Sequence, residues 1–146
     1  SEQKNLPRYQ MLQPHYNLVE RKEFESTLRP VCLRHNIGVI PYFSLASGFL
    51  TGKYRSEADL QKSARGGSTK KYLNPHGLRV LAALDSVAKR HNATPAQVAL
   101  AWLSAQPTIT APIASATKLT QLHDLIASTE LILDDLALTE LNRASD

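Results

Sequence analysis

Ser44, Ser47, Gly48, Gly52 and Lys53 fall close together just after an apolar run ending in Tyr42. Serine hydroxyls and glycine amides let a backbone approach a phosphate closely, and a lysine adds a point charge. The stretch could cradle a pyrophosphate, or it could be a Gly-Ser turn that only leaves a strand. It is not a nucleotide P-loop: Gly48 and Gly52 enclose three residues instead of four, and Tyr54 stands where a magnesium-binding Ser or Thr is needed. A second candidate is Ser115-Ala116-Thr117-Lys118 ahead of a helical pattern, because a helix start offers free N–H groups and positive dipole to an anion. Tyr42 presents a flat aromatic face beside the first loop, or is an ordinary core tyrosine. His15, His35, His76, His91 and His123 show no metal-binding spacing, and no Gly-x-Ser-x-Gly nucleophile elbow occurs. Tyr16 and Lys53 are a donor and a cation, but nothing in the sequence pairs them.

Short apolar runs alternate with longer helical patterns. Arg8 to Gln13 alternates polar and apolar residues up to Pro14 and predicts a strand. Gly38 to Tyr42 predicts a second, entered through the turn formers Asn36 and Gly38, and Thr110 to Ala114 predicts a third. Between the first two, Phe24, Leu28, Val31 and Cys32 have helical spacing within Arg21 to His35, with Pro30 as the one objection. Pro75 opens a helix through Arg90, whose faces are marked by Leu78, Leu81, Ala82, Asp85 and Ala88. Thr94-Pro95-Ala96-Gln97 is a capping box with Pro at the first helical position, starting a helix with Val98, Ala101, Trp102 and Ala105 on one stripe. Lys118 to Ala127 follows with Thr117 as expected N-cap, then Asp134 to Ala144 with Leu138 and Leu141 inward. Strands separated by helices imply parallel pairing and an α/β fold. Three parallel strands leave two open edges, so the pattern looks like part of a larger sheet.

The 146 residues are 42% apolar, enough to fill one core of ordinary domain size. A single cysteine, Cys32, excludes an internal disulfide and a cysteine zinc cluster, and suits a reducing cytoplasm. The stretches without Asp, Glu, Lys or Arg, His35 to Gly52 and His91 to Thr117, are broken by Pro, Asn, Ser, Thr or Gly, and none reads as a membrane span. The polar Ser1 to Asn5 lacks the apolar stretch of a signal peptide. The net charge of +4 hides a segregation: Lys53, Arg55, Lys62, Arg65, Lys70 and Lys71 face only Glu57 and Asp59, whereas from Gln121 onward Arg143 is the one base among six acids. A basic loop suits a phosphorylated small molecule, a nucleic acid or mere solvation. With little aromatic interleaving beyond Tyr54 and Tyr72, nucleic acid is the least favoured partner.

Four blocks carry a resemblance: Gln13-Pro14-His15-Tyr16-Asn17-Leu18, the run from Gly38 to Tyr54, Thr94 to Leu103, and Pro112 to Thr117 ahead of Gln121-Leu122. In order and spacing they resemble the C-terminal half of the aldo-keto reductases, TIM-barrel enzymes that reduce carbonyls with NADPH. The likeness covers nearly all of residues 1–146. It implies a partial (β/α)8 barrel in which the three strands are the sixth, seventh and eighth, with its active site on the loops after the strands.

By the same likeness, Tyr42 stacks on the nicotinamide, Gln13 holds its carboxamide, and Ser115 to Lys118 takes the 2′-phosphate of NADP. The implied cofactor set is Gln13, Tyr42, Phe43, Ser44, Leu45, Ser47, Gly48, Lys53, Ser115, Ala116, Thr117, Lys118 and Gln121. Two positions depart from the family: Gln121 stands where many members have a basic residue, and Leu125 where they have Asn. The family's catalytic Asp, Tyr, Lys and His lie on strands two to four, which have no counterpart here. The expectation is a chain that binds NADPH, pairs with a missing N-terminal half or another copy, and handles a small carbonyl substrate only when completed. A regulatory half-barrel that binds NADP without catalysis is the alternative.

Overall fold

The computed structural model describes residues 4–62 and 66–146. Arg65 therefore lies outside the described residues, as do Ser1 to Gln3. Within them, two short strands, β1 (Met11–Leu12) and β2 (Gly38–Val39), pair in parallel with Met11 opposite Gly38 and Leu12 opposite Val39. Hydrogen bonds extend this ladder beyond both strands: the N–H of Gly38 donates to Gln10, that of Ile40 to Leu12 and that of Tyr42 to Pro14, at 2.9–3.0 Å. The Arg8–Gln13 and Gly38–Tyr42 predictions thus hold in direction and pairing but overrun the regular strands. Pro14 and Pro41 have no N–H to continue the ladder.

The third expected strand, Thr110 to Ala114, is not regular. Ile109 bridges Val39 in parallel, and three bonds fasten the segment: Val39 N–H to Thr108, Thr110 N–H to Val39 and Ile113 N–H to Pro41. Thr108 has a φ of 75° and Pro112 lacks a donor, so the backbone cannot stay extended and bonded throughout. The order is nevertheless β1, β2, then this segment, all running the same way.

The helix expected over Arg21 to His35 contains a π-helical turn, Phe24–Leu28, running directly into α1 (Arg29–His35). Pro30 lacks an N–H and its ring crowds the carbonyl four residues earlier; the wider turn ahead of it accommodates both. Asn36, left-handed at φ 50°, ends α1 and turns the chain into β2. After β2 come two 3-10 stretches, Ala46–Thr51 and Glu57–Lys62, and a single turn, α2 (Gly66–Thr69).

Local caps set the remaining helices. The Asn74 side chain accepts from Gly77 N–H and starts α3 (Pro75–Arg90). α3 turns Val80, Leu81, Leu84, Val87 and Ala88 inward, while Leu78, Ala82 and Asp85 face outward. Both halves of the Thr94 and Gln97 capping box are formed at the start of α4 (Pro95–Ser104), at 2.9 and 3.3 Å. Every residue from Val98 to Leu103 is buried, so α4 is a core helix where a single stripe was expected, and Ala105 beyond it is exposed. α5 (Leu119–Ala127) is capped by Lys118 and not by Thr117, whose N–H and hydroxyl both donate to the Gln121 amide oxygen. Asp134 accepts from Ala137 N–H and starts α6 (Asp135–Ser145), with Leu141 buried and Leu138 packed beside it.

α3 packs on α4 and α6, and Trp102, Tyr16, Phe24, Phe49 and Leu84 form the centre of the core. α5 differs: none of its residues is buried, and Leu119, Leu122 and Ile126 project from it exposed. Met11 on β1 and Val31 and Leu33 on α1 are exposed as well. No described helix is long and apolar enough to cross a membrane.

Candidate functional site

Parallel register brings three sequence-distant points to one end of the ladder. Gln13 ends the first segment, Pro14 accepts the N–H of Tyr42 at the end of the second, and Pro41 accepts the N–H of Ile113 at the end of the third. Ser115 lies two residues beyond Ile113, so all the cofactor residues expected from the sequence follow the C-terminal ends of these segments. Gln13, Tyr42 and Phe43 are exposed there, and the Tyr42 ring stacks on His15 with centroids 5.3 Å apart. Asn17, fully buried beneath them, donates to the Phe43 carbonyl at 2.9 Å.

The loop beyond Tyr42 is unusual in its backbone. Phe43, Ala46, Ser47, Gly48 and Gly52 all have positive φ, between 49° and 95°. The N–H groups of Ala46, Gly48 and Gly52 donate to the carbonyls of Phe43, Leu45 and Phe49 at 2.7–3.0 Å, so these left-handed residues fold the loop into successive tight turns. Gly48 is favoured by its φ of 95°, and a Cβ there would lie 3.2 Å from Lys53 Cε and 3.3 Å from its Nζ, a contact the flexible lysine can ease by a small shift. The Lys53 stem therefore crosses directly over Gly48, and its ammonium sits 5.0 Å from the Tyr54 ring centroid. Ser47 and Leu45 are half-buried in the same loop, whereas the Ser44 hydroxyl is buried and donates to Pro41 at 3.2 Å. Ser44 thus turns its hydroxyl inward, so it can meet a phosphate only through its backbone.

The surrounding basic residues are committed within the chain. Arg55 donates to both Asp85 oxygens, Lys70 pairs with Glu57 at 3.1 Å, and Lys71 pairs with Glu20 at 2.7 Å. The Glu20 bond, with Tyr72 behind it, raises the Lys71 pKa. At the second expected anion site, Ser115, Thr117 and Lys118 are exposed and Ala116 is half-buried. The Gln121 side chain closes on Thr117 and holds the approach to α5. Among the described residues no group of three or more His, Cys, Asp and Glu could hold a metal ion.

One cluster was not foreseen. Tyr16 is fully buried; its hydroxyl donates to Glu25 at 2.7 Å and accepts from Arg29 at 2.6 Å. Arg21 donates to both Glu25 oxygens and to Ser145, Asp146 and the Asn142 carbonyl, while Trp102 Nε1 donates to Asn142 Oδ1. Burial and the Glu25 bond drive the Tyr16 pKa far up, so this phenol cannot serve as a proton donor with Lys53. Burial opposes ionisation of Glu25 but is outweighed by Arg21, Tyr16 and Arg29, which hold its pKa below the usual value. The spacings Arg21–Glu25 and Glu25–Arg29, each four apart on a helix, hinted at the cluster; Tyr16, Trp102, Asn142, Ser145 and Asp146 join it from other segments.

The geometry agrees with comparisons to known proteins. The sequence model described as "Aldo/keto reductase family" matches residues 2–146. "Protein tas" of Escherichia coli K12 is 33% identical over 142 residues, 94% of this chain and 40% of that protein. "Probable voltage-gated potassium channel subunit beta" of Arabidopsis thaliana is 31% identical over 125 residues, 82% of this chain and 38% of that protein. "Aldo-keto reductase yakc [NADP(+)]" of Schizosaccharomyces pombe is 28% identical over 131 residues, 88% of this chain and 38% of that protein. The chain therefore spans about two fifths of the length of these relatives. With parallel segments, a glycine-serine loop after the second and a helix start after the third, the chain belongs to the aldo/keto reductase family, whose fold is a (β/α)8 barrel.

Proposed function

We propose that this chain is the cofactor-binding C-terminal half of an NADPH-dependent carbonyl reductase. Its three segments are then the sixth, seventh and eighth strands of the barrel. The observation that carries the reading is the shared edge of Gln13, Tyr42 and Ile113, which directs both anion-binding candidates to one side. The residues fit the cofactor: Lys53 lies over the tightly turned glycine-serine loop, close to Gly48, where its ammonium can meet a pyrophosphate. Tyr42 supplies a face for the nicotinamide, the Gln13 amide has the donor and acceptor its carboxamide needs, and Lys118 with the start of α5 takes the 2′-phosphate. Similarity to a reductase named for NADP(+) favours the phosphorylated cofactor.

The chemistry NADPH supplies when bound is hydride for a carbonyl carbon. This chain's own work is to hold and orient. The Tyr16 hydroxyl does not reach a carbonyl oxygen, since it is buried and shared between Glu25 and Arg29, and we assign the chain no general acid of its own. A general acid contributes typically about 10²- to 10⁴-fold, so reduction by the chain alone is lower by at least that factor. An N-terminal half supplies the acid and the neighbours of β1 and of the third segment. The exposed Leu119, Leu122 and Ile126 on α5 and the exposed Met11, Val31 and Leu33 on β1 and α1 support that completion. The lone, buried Cys32 suits a reducing cytoplasm.

A second reading, a half-barrel that binds NADP for regulation, is favoured by the similarity to a protein named as a potassium channel subunit beta. One assay separates them: NADPH absorbance with a reactive aldehyde, for this chain first and then with the N-terminal half of a relative added in trans. Turnover that appears only on complementation supports the reductase. Cofactor binding without turnover after complementation supports the regulatory reading.

A further inference from the structure

His15 was passed over in the sequence as one of five scattered histidines, yet it stands opposite Tyr42 as a parallel bridged pair. The two rings are 18° from parallel with centroids 5.3 Å apart. Phe43 meets His15 edge-on at 5.6 Å and Tyr42 at 5.3 Å, closing the group from one side. Asn17 fixes it from below: its Nδ2 lies 2.9 Å from the Phe43 carbonyl and 3.4 Å from His15 Nε2, and its Oδ1 accepts from Val19 N–H at 2.9 Å. A donor at Nε2 selects the neutral imidazole with its proton on Nδ1. Burial favours that neutral form, and Lys71 adds to it against Glu20 and Glu23.

We propose that His15 is a positioning residue for the cofactor: it packs one face of Tyr42, fixes the plane of that ring, and leaves the opposite face as the platform for the nicotinamide. This rests on the cofactor reading above. Tyr42 is 37% exposed, and the contacts that set its ring are those with His15 and Phe43. An aromatic partner of this geometry restricts the ring before the cofactor arrives, and removing it makes binding carry the cost of ordering Tyr42.

The test titrates the full chain with NADPH and with 2′-phospho-ADP-ribose, which keeps both phosphate contacts and lacks the nicotinamide. The variants are His15→Ala and His15→Phe, each checked for an unchanged thermal midpoint. The expected result is a loss of about three- to tenfold in NADPH affinity for His15→Ala, no change for 2′-phospho-ADP-ribose, and recovery in His15→Phe, which restores the stack. Equal losses for both ligands, or no loss for either, overturn the proposal and leave the cofactor reading standing. Tighter NADPH binding by His15→Ala also overturns it, because His15 would then occupy the nicotinamide's own place. If the unaltered chain binds neither ligand, the cofactor reading falls and this proposal with it.

Discussion

Arg55 grips Asp85 with both terminal nitrogens, at 2.7 and 2.8 Å, and so fastens the loop carrying Lys53 to the middle of α3. The same guanidinium donates to Gly52 at 2.8 Å, where a Cβ would meet Arg55 Nη2 at 2.6 Å. That loop is thereby held at its exit by a residue on the core scaffold, while Asp85 itself stands outside the residues proposed to bind the cofactor.

Asp85→Ala therefore separates loop order from fold stability. Both side chains are more than two-fifths exposed, and such pairs contribute about 0–1 kcal/mol. Urea unfolding should shift by no more than that, while calorimetry should show NADPH affinity reduced by about two- to fivefold through the cost of reordering the loop. Unchanged affinity would mean that the loop is held without the clasp.

Gly48→Ala should act on both stability and binding. A residue with Cβ at φ 95° is strained, and the added methyl presses on Lys53 Cε at 3.2 Å. We expect a loss of about 1 kcal/mol or more in unfolding free energy and a drop in NADPH affinity larger than for Asp85→Ala. An alanine variant as stable as the parent would contradict the strained turn.

The cluster around Tyr16 sets an acid limit on stability. Glu25 has a lower pKa folded than its ordinary 4.5, so its contribution is full above that ordinary value and is lost as pH falls through the folded one. Thermal midpoints measured downward from pH 6 should fall for the parent, and Glu25→Gln should lower stability by about 2 kcal/mol at pH 7 while flattening this fall. A Glu25→Gln variant with the parent's acid profile would assign the limit to other carboxylates.

We propose that nucleic acid is not a partner, on the same geometry that pairs the basic residues within the chain. Arg55, Lys70 and Lys71 are paired with Asp85, Glu57 and Glu20, so few described cations of the 53–71 segment remain to displace counterions. Fluorescence anisotropy with duplex DNA should show no saturable binding at 0.15 M salt. Tight binding that weakens steeply with added salt would reverse this.

What was legible in the sequence were features coded within a few residues. Asn74-Pro75, the Thr94 and Gln97 box and Asp134 each start a helix where expected, because a cap needs only a side chain and an N–H three residues on. The parallel order of the segments followed from the β–α alternation, and the placing of Gln13, Tyr42 and Ser115 at their C-terminal ends from the resemblance to the aldo-keto reductases. The second and third strands were overrun because Pro41 and Pro112 interrupt the ladder at places an apolar pattern does not reveal. The Tyr16, Glu25, Arg29 and Arg21 cluster was invisible because it joins the start of the chain to Asn142, Ser145 and Asp146, a proximity only packing creates. His15 gave no signal for the same reason: its partner Tyr42 is a neighbour across the ladder and not along it.

Calorimetric titration of the folded chain with NADPH tests the central claim most directly. The account predicts saturable one-site binding with a Kd below about 1 mM, weakened at least about tenfold by Lys53→Ala and by Tyr42→Ala. A chain with an intact cooperative unfolding transition that gives no saturable heat at millimolar NADPH would contradict it.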